Sequence, residues 1–306
     1  MGKVVIVGAG AAGMMAAYGA ALNGHDVTVL EKNEKCGKKL YITGKGRCNI
    51  TNACEPEEFF DRIVSNRKFM YSPFYSLTNM QTMDLFADTF GLNIKTERGN
   101  RVFPSSDKSS DVIRALTKAL NRMNVKIKLN SQVTGLIISD NTVKGVKTHD
   151  LTYETDAVIV ATGGLSYAST GSTGDGYGFA KSAGHSVTTL CPALVPLEIK
   201  QEWVTELQGL SLKNIEVTFT ADGKRLYSEF GEMIFTHFGV SGPVILSASS
   251  YIGNRVASGC AVELNIDLKP ALNYEQLIKR ITRDFEERHN QQFKNSLGKL
   301  LPSKLI

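Results

Sequence analysis

The N-terminal stretch carries two short apolar runs on either side of a longer alanine-rich segment. Val4–Val7 is an apolar run of strand length, and Asp26–Leu30 is a second one. The intervening segment has helical composition as far as Leu22, and Asn23 and Gly24 interrupt it. This order of strand, helix and strand predicts a βαβ unit, the building block of a parallel sheet.

Amphipathic and alternating patterns predict the elements that follow. Apolar residues at three- and four-residue steps predict a helix over Phe74–Phe90, ended by Gly91. A second helix is predicted over Ser109–Met123, capped by its serines and Asp111. Alternation predicts a strand at Val125–Leu129 and then a small antiparallel meander. The meander comprises Gln132–Ser139, Thr142–His149 and Thr152–Thr155, with a turn at Asp140-Asn141.

The character of the chain changes at Cys191. Pro192 and Pro196 mark a linker-like passage, after which short alternating strands precede a polar helix. The strands are Ile215–Thr220, Lys224–Ser228 and Val262–Leu268, and the helix is Tyr274–Asn290. We therefore expect two domains, residues 1–190 and residues 191–306.

The turn between the first strand and the helix carries glycines at the G-x-G-x-x-G spacing. Gly8 allows a sharp turn off the strand, Gly10 leaves room for a pyrophosphate, and Gly13 allows close packing of the helix on the sheet. The helix N-terminus offers free N–H groups and a partial positive charge to phosphates. Glu31, at the end of the second strand, is placed to accept hydrogen bonds from ribose hydroxyls. This unit therefore predicts dinucleotide binding.

Two further glycine-rich segments indicate the same ligand. The apolar strand in Asp156–Gly164 ends in Ala-Thr-Gly-Gly, which lets the backbone approach a ligand closely. Gly171–Gly184 is a glycine-rich loop that leads into a helix, and Asp175 is placed to cap that helix. We interpret both segments as part of the nucleotide site.

The segment from Lys32 to Cys54 lacks sustained periodicity, until a helix begins near Pro56. Long ordered loops are usually functional, and we interpret this one as lying over the nucleotide. Within it, Lys38 and Lys39 are candidates for contacts with the pyrophosphate. The alternative is that the two lysines form a solvated charge run.

Composition narrows the class of protein without changing this picture. Hydrophobic residues make up 42% of the chain and charged residues 21%, as in ordinary globular proteins. The net charge of +5 tolerates an acidic or nucleic-acid partner without requiring one. No apolar run reaches the length of a membrane span, and a strand begins at once, so we expect neither a membrane segment nor a signal peptide.

The cysteines indicate a reducing compartment. Five of them, scattered along the chain, are too few for a disulfide scaffold, and no cysteine–histidine spacing fits a zinc site. We therefore expect a cytoplasmic protein without a metal. Cys48 and Cys54 are near each other in the loop, but nothing around them provides a low-pKa thiolate environment, so we expect no redox disulfide.

Five segments together resemble one bacterial flavoprotein family. They are GAGAAG with Glu31, TGKGRCNITN, VIVATGG, TGSTGDGYG and FTHFGVSGP. Over essentially its whole length the chain is similar to FAD-dependent oxidoreductases of the BaiN/RdsA family, also called aminoacetone oxidase-like or HI0933-type. TGKGRCNITN and FTHFGVSGP carry the resemblance, because the other segments occur in many FAD proteins of the glutathione-reductase type.

The resemblance implies an α/β fold with a glutathione-reductase-type, Rossmann-like FAD-binding domain and an inserted domain that is β-rich and then helical. It implies that FAD lies across the glycine turn, with the GRCN segment near the flavin. The residues predicted to bind FAD are Gly8, Gly10, Ala11, Ala12, Gly13, Glu31, Lys32, Lys38, Thr43, Gly44, Gly46, Arg47, Cys48, Asn49, Val133, Ala161, Thr162, Gly163, Gly164, Gly174 and Asp175. Family members usually continue with a final glycine-rich segment against the flavin, so this chain is expected to be C-terminally truncated relative to them.

Activities associated with this family include the reduction of carbon–carbon double bonds, in bile-acid-like steroids or in a uridine of ribosomal RNA. We expect NAD(P)H-driven reduction of such a bond in a small molecule. The alternatives are reduction of a ribosomal uridine, amine oxidation as attributed to one branch, and an inactive FAD-binding fragment. A second complete dinucleotide fingerprint is not visible, so NAD(P)H is expected only to visit the flavin.

Three residues are candidates for catalysis. His237, in FTHFGVSGP, is of the residue type that titrates near neutrality and suits proton donation to a substrate carbon; alternatively it bridges backbone groups in a tight turn. Arg47 is a candidate to stabilise negative charge on the reduced cofactor, and the alternative is a surface arginine paired with Glu or Asp. Tyr177 is a candidate for substrate contact, as is Arg101.

Overall fold

The computed structural model describes Met1–Ile306, and the chain divides into two compact units. Unit 1 is Met1–Thr188 and unit 2 is Thr189–Ile306. The division lies close to the boundary placed at residues 190 and 191 from the sequence. None of the helices in either unit combines the length and the apolar composition needed to cross a bilayer.

Unit 1 is an α/β unit built from three β-sheets and seven helices. Its strands are β1 (Lys3–Val7), β2 (Asp26–Leu30), β3 (Thr51–Asn52), β4 (Ile94–Glu97), β5 (Arg101–Pro104), β6 (Lys126–Lys128), β7 (Val133–Ser139), β8 (Thr142–Thr148), β9 (Thr152–Glu154) and β10 (Ala157–Val160). Its helices are α1 (Ala11–Leu22), α2 (Lys38–Ile42), α3 (Pro56–Asp61), α4 (Tyr71–Ser76), α5 (Asn79–Asp84), α6 (Ser109–Arg122) and α7 (Asp175–Ser182). The central sheet is parallel with order β10-β1-β2-β6, which confirms the predicted βαβ unit.

Both faces of the central sheet are covered, and this explains why its strands read as continuous apolar runs. On one face, Ile6 packs in a core with Met14 of α1 and Leu120 of α6. On the other face, Val7 packs in a second core with Val146 of β8. Successive side chains of β1 therefore enter different cores, as the two-residue period of a strand requires.

The predicted meander is present as the antiparallel sheet β7-β8-β9. Its first turn is made by Asp140 and Asn141, both with positive φ, as a tight hairpin turn requires. The predicted helix at Ser109 is also present as α6, but its cap differs. The N-cap residue is Lys108, whose side chain has no acceptor, so no side chain caps this N-terminus. Ser109 is the first residue of the helix, and its hydroxyl donates to the carbonyl oxygen of Tyr41 at 2.8 Å.

The helix predicted over Phe74–Phe90 is interrupted in the structure. α4 ends at Ser76, and Thr78 begins α5 with a capping box in which it exchanges hydrogen bonds with Gln81. This local cap defines a new helix start within an otherwise continuous apolar pattern. A π-helical turn, Leu85–Thr89, continues α5, and Gly91 with φ 69° ends the segment as predicted.

Unit 2 is built on one antiparallel sheet. Its strands are β11 (Leu197–Glu198), β12 (Ser211–Ala221), β13 (Lys224–Phe235), β14 (Gly239–Ser241) and β15 (Glu263–Asp267), and its helices are α8 (Pro243–Ala257), α9 (Tyr274–Glu286) and α10 (Phe293–Ser296). The strand order is β11-β14-β13-β12-β15. Phe219 of β12 packs with Ile245 and Ile252 of α8. The hairpin β12–β13 is longer than predicted, because pairing continues past a bulge to Ser211 and Ile234.

Candidate cofactor-binding site

A cleft of about 680 Å³ lies in unit 1 at the carboxyl ends of three parallel strands. Gly8 follows β1, Glu31 follows β2 and Ala161 follows β10, and all three residues line the cleft. In open α/β sheets, ligands bind outside the carboxyl ends of the strands. The topology therefore puts the cleft where a nucleotide site is expected.

The glycine turn after β1 is tightly enclosed at two of its three glycines. Gly8 has φ 107°, and a Cβ built on it would lie 2.5 Å from the carbonyl oxygen of Ala161. A Cβ on Gly13 would overlap the carbonyl oxygen of Gly8. Gly13 therefore lets α1 pack against the preceding turn itself, and it does not line the cleft.

Gly10 differs from its neighbours because its surroundings are open. It lines the cleft, its backbone has φ −78° and ψ −170°, and a Cβ built there would meet no atom within 4 Å. It is also the N-cap of α1, a helix start with no side-chain cap and no acidic residue in its first turn. Uncapped N–H groups beside open space form a cradle that fits an anionic group such as a pyrophosphate.

Glu31 is held rigidly although it lines the cleft. It is 7% exposed, and its Oε2 accepts a hydrogen bond from the backbone N–H of Ala9 at 2.7 Å. Its Oε1 accepts from the backbone N–H and the Nδ2 of Asn33 at 2.9 and 2.6 Å. Since a carboxylate oxygen accepts about two hydrogen bonds, Oε2 keeps capacity for a ribose hydroxyl.

Lys32 links the end of β2 to the start of α7 and the loop before it through hydrogen bonds. Its Nζ donates to Asp175 Oδ2 at 2.7 Å and to Thr173 Oγ1 at 2.6 Å. Burial raises the pKa of Asp175, but the hydrogen bonds from Lys32 and Thr173 outweigh it and hold this pKa below its usual range. Asp175 is not the cap predicted from the sequence. Gly174, with φ 84°, is the N-cap of α7 and makes no side-chain cap bond.

The structure brings most of the predicted cofactor-binding residues together around the cleft. Those that line it are Gly8, Gly10, Ala11, Ala12, Glu31, Lys32, Lys38, Thr43, Val133, Ala161, Thr162, Gly163 and Asp175, and Tyr177 lines it as well. Sequence reasoning missed Asn33, Ser131, Gln132 and Thr170, which also line it. Gly171 and Ser172 line it too, and both belong to the glycine-rich loop that was interpreted as part of the nucleotide site. The signal for Thr170 was available, because it begins the TGSTGDGYG segment.

The GRCN segment, in contrast, lies outside the cleft lining. Cys48 is 2% exposed and belongs to the core beneath α1 and α6. Asn49 Nδ2 donates to the carbonyl oxygens of Thr51 and Val102, both at 2.9 Å. Gly44 and Gly46 adopt positive φ in the turn before Arg47. Gly164 lies near the Tyr177 hydroxyl, and Gly174 lies near the Leu165 side chain. None of these four glycines lines the cleft.

Arg47 is paired with acidic residues, which is the alternative considered from the sequence. Its Nη1 lies 3.0 Å from Glu97 Oε1 and 3.5 Å from Asp107 Oδ1, and its guanidinium lies 4.1 Å from the centroid of the Phe103 ring. Lys95 completes the network at 2.6 Å from Asp107 Oδ2. The hydrogen bond from Lys95 holds the pKa of Asp107 below its usual range. These contacts hold Arg47 outside the cleft lining.

His237 belongs to unit 2, in the turn between β13 and β14. Its ring is exposed and packs edge-on against Phe238 with centroids 4.8 Å apart. The turn is held without it, because the backbone N–H of Thr236 donates to the carbonyl oxygen of Gly239 at 2.8 Å. The imidazole makes no hydrogen bond, so it does not bridge backbone groups.

All five cysteines are free thiols in the structure. Burial raises the pKa of the Cys48 thiol and of the Cys54 thiol. A raised pKa disfavours the thiolate, which is the nucleophilic form in disulfide chemistry. Neither residue therefore has the environment of a redox-active cysteine.

Sequence comparisons show the family to which the chain belongs. The HI0933-like protein Rossmann domain family matches residues 2–259. The chain is 31% identical over 318 residues to the 3-dehydro-bile acid delta(4,6)-reductase of Clostridium scindens, covering 100% of this chain and 74% of that protein. It is 31% identical over 309 residues to the ribosomal RNA dihydrouridine synthase of Haemophilus influenzae, covering 99% and 72%. Among solved structures, the open conformation of a flavocytochrome c3 fumarate reductase gives a TM-score of 0.43 at 24% identity, over 70% of this chain and 47% of that one.

Proposed function

The chain belongs to the HI0933-like family of FAD-dependent oxidoreductases, and from this premise we propose that it uses NAD(P)H to reduce a carbon–carbon double bond in a small molecule. The bile acid reductase supports the reaction class, because a delta(4,6)-reductase saturates such a bond. Two electrons and two protons add across the double bond, and oxidation of NAD(P)H to NAD(P)+ supplies the two electrons and one of the protons.

One structural observation carries the cofactor part of the proposal. Gly10 faces open space in front of the uncapped N-terminus of α1, at the carboxyl ends of β1 and β2. In this arrangement the first-turn N–H groups would hold the pyrophosphate, and Glu31 Oε2 would accept a hydrogen bond from a ribose hydroxyl. When bound, FAD supplies the electron transfer, for which no side chain is suited.

The chain's own residues bind and position the reactants. Tyr177 lines the cleft, so we assign its hydroxyl a ligand contact there. His237 is exposed and its ring nitrogens are free of hydrogen bonds, so we assign it the transfer of a proton to the substrate carbon. We assign Arg47 no catalytic role in the conformation described, because Glu97 and Asp107 hold its guanidinium.

The deciding experiment is an absorbance spectrum of the purified chain followed by anaerobic titration with NADPH. A flavin spectrum that bleaches, and then recovers on addition of an enone steroid with formation of a product heavier by two hydrogens, is the expected result. A flavin that NADPH leaves oxidised would overturn the NAD(P)H-driven reductase. Bleaching by an amine alone, with recovery in oxygen, would indicate an oxidase instead.

Reduction of a uridine in ribosomal RNA is a second candidate. The ribosomal RNA dihydrouridine synthase of Haemophilus influenzae is as similar to this chain as the bile acid reductase, at 31% identity. The net charge of +5 is compatible with an RNA substrate. Formation of dihydrouridine in ribosomal RNA incubated with the loaded protein and NADPH, with binding that weakens steeply as salt rises, would favour this candidate over the small molecule.

A further inference from the structure

We propose that the side chains of Lys39 and Ser172 bind the pyrophosphate of the dinucleotide beside Gly163, and that Lys38 does not contact it. The proposal rests on the cofactor site described under the proposed function. It assigns the two side chains that complement the backbone cradle at Gly10. Of the two lysines considered from the sequence for the pyrophosphate, it selects Lys39, whereas the predicted FAD-binding residues included only Lys38.

The cationic side chains in the cleft are all lysines. Lys32, Lys38 and Lys39 are the lysines that line it. Lys32 is paired with Asp175 at 2.7 Å, and Lys38 Nζ lies 3.2 Å from Glu34 Oε2 and 3.3 Å from Asn33 Oδ1. Lys39 is half-buried and its ammonium has no ion-pair or hydrogen-bond partner in the protein. Lys39 is therefore the cation whose charge remains available to a ligand.

Ser172 places a hydroxyl at the same part of the cleft. The residue is 6% exposed and lines the cleft, and its side chain makes no hydrogen bond within the chain. Its Oγ is not one of the fully enclosed polar atoms that lack a partner. The hydroxyl is therefore free to donate to an acceptor on a ligand in the cleft.

The Lys39 ammonium and the Ser172 hydroxyl converge on Gly163. A Cβ built on Gly163 would lie 2.6 Å from Ser172 Oγ and 3.9 Å from Lys39 Nζ. Lys39 extends from α2, whereas Ser172 belongs to the loop before α7. Two donors from different segments of the chain therefore meet beside one glycine, and neither makes a hydrogen bond within the protein.

Gly163 is connected to the glycine turn through Ala161. Gly163 follows Ala161 by two residues, and the carbonyl oxygen of Ala161 is the atom nearest to a Cβ built on Gly8. The turn at Gly163 thus lies next to the glycine turn that leads into α1, whose N-terminus carries a partial positive charge. An ammonium, a hydroxyl and a helix N-terminus together match a group with several anionic oxygens, which a pyrophosphate provides.

The test measures FAD binding to the cofactor-free full chain by flavin fluorescence. Lys39→Gln is expected to weaken binding by about 10- to 100-fold, since a charge-assisted hydrogen bond is lost, and Ser172→Ala by about 3- to 10-fold. Lys38→Gln tests the exclusion of Lys38: because its charge is already paired, it should bind within about threefold of the unchanged protein. The control is Lys118→Gln, at an exposed lysine that does not line the cleft. The affinity of the Lys39→Gln variant should also depend less steeply on salt concentration.

Comparison of two ligands separates a phosphate contact from a general disturbance. ADP carries the pyrophosphate and adenosine does not, so Lys39→Gln should weaken binding of ADP while leaving binding of adenosine unchanged. Equal weakening of both ligands, or equal FAD affinity in the Lys39→Gln variant and the unchanged protein, would overturn the proposal. If the unchanged protein itself binds neither FAD nor ADP, the proposed cofactor site fails as a whole, which is a different result.

Discussion

The carboxylate of Glu31 accepts a hydrogen bond from the backbone N–H of Ala9 at 2.7 Å, so the acid after β2 holds the glycine turn after β1. The same side chain accepts two hydrogen bonds from Asn33. Glu31, which the sequence predicts to contact ribose, therefore also stabilises the glycine turn. Only the acceptor capacity that remains on its carboxylate is available to the ligand.

We expect Glu31→Gln to destabilise the protein by roughly 1–3 kcal/mol even without cofactor. An amide has one acceptor oxygen, so its NH2 group would face either the N–H of Ala9 or the donors of Asn33. Urea unfolding of the cofactor-free protein checks this. A carboxylate that served the ribose alone would leave the free energy of unfolding unchanged and alter only the affinity for FAD.

Alanine substitutions at two glycines of the same turn should affect different properties: Gly13→Ala the stability of the fold, and Gly10→Ala the affinity for FAD. Gly13→Ala should destabilise the fold by about 1–3 kcal/mol or more, because the new methyl group overlaps the carbonyl oxygen of Gly8. Gly10→Ala should change the free energy of unfolding by less than about 1 kcal/mol, because its Cβ meets open space. It should nevertheless lower FAD affinity at least about tenfold, since the methyl group occupies the cradle. Thermal unfolding measures the stability of both variants, and FAD titration measures their affinity for FAD. An unaltered FAD affinity in Gly10→Ala would refute the prediction.

The ion pair between Lys32 and Asp175 predicts a component of stability that depends on pH. The pKa of Asp175 is lower in the folded protein than its usual value, so the folded state favours the ionised carboxyl. The resulting stabilisation is complete above the unfolded-state pKa of about 3.9 and is lost as the pH falls through the folded-state value. Asp175→Asn should remove this component, so that its free energy of unfolding differs from that of the unchanged protein at pH 6 but converges with it towards acid.

Asp150→Asn is the control for that experiment. Asp150 is exposed, and its side chain makes neither an ion pair nor a hydrogen bond. Unfolding profiles of the control and the unchanged protein should run parallel across the acid range. The prediction fails if Asp175→Asn runs parallel to them as well.

Arg47→Gln should leave FAD affinity unchanged within about threefold, because the guanidinium is engaged by Glu97 and Asp107 on a solvent-accessible surface. Lys95→Gln provides the complementary measurement. The hydrogen bond from Lys95 is the largest cause of the lowered pKa of Asp107, so this pKa should rise in the variant. NMR titration of the Asp107 carboxyl would measure the rise. A tenfold or greater loss of FAD affinity in Arg47→Gln would instead restore the contact with the cofactor that the sequence resemblance implied.

Cys48 and Cys54 should resist alkylation in the native protein. Burial raises the pKa of both thiols, and both are below a tenth exposed. Iodoacetamide at neutral pH, followed by mass spectrometry, should modify these two positions only after urea unfolding. Fast native labelling, or a Cys48–Cys54 disulfide formed during turnover, would contradict the structure.

Patterns that depend on local chain geometry were readable from the sequence. The βαβ unit, the β7-β8-β9 meander and the glycine turn each follow from residue periodicity or from positions where only glycine fits. Side-chain partners were not readable, because they depend on residues distant in sequence. Arg47 meets Glu97 and Asp107, and the choice between two adjacent lysines depends on which one Glu34 reaches.

Three consecutive residues after β2 each fasten a different segment of unit 1. Glu31 is bonded to Ala9, Lys32 to Asp175, and Asn33 Nδ2 to the carbonyl oxygen of Thr170 at 3.2 Å. Since the three residues are consecutive, inserting or deleting a single residue before them would move all three side chains away from their partners together. A change of length in this tripeptide should therefore destabilise unit 1 more than any single change of side chain, unlike changes in the surface loops in which homologous proteins usually accumulate insertions.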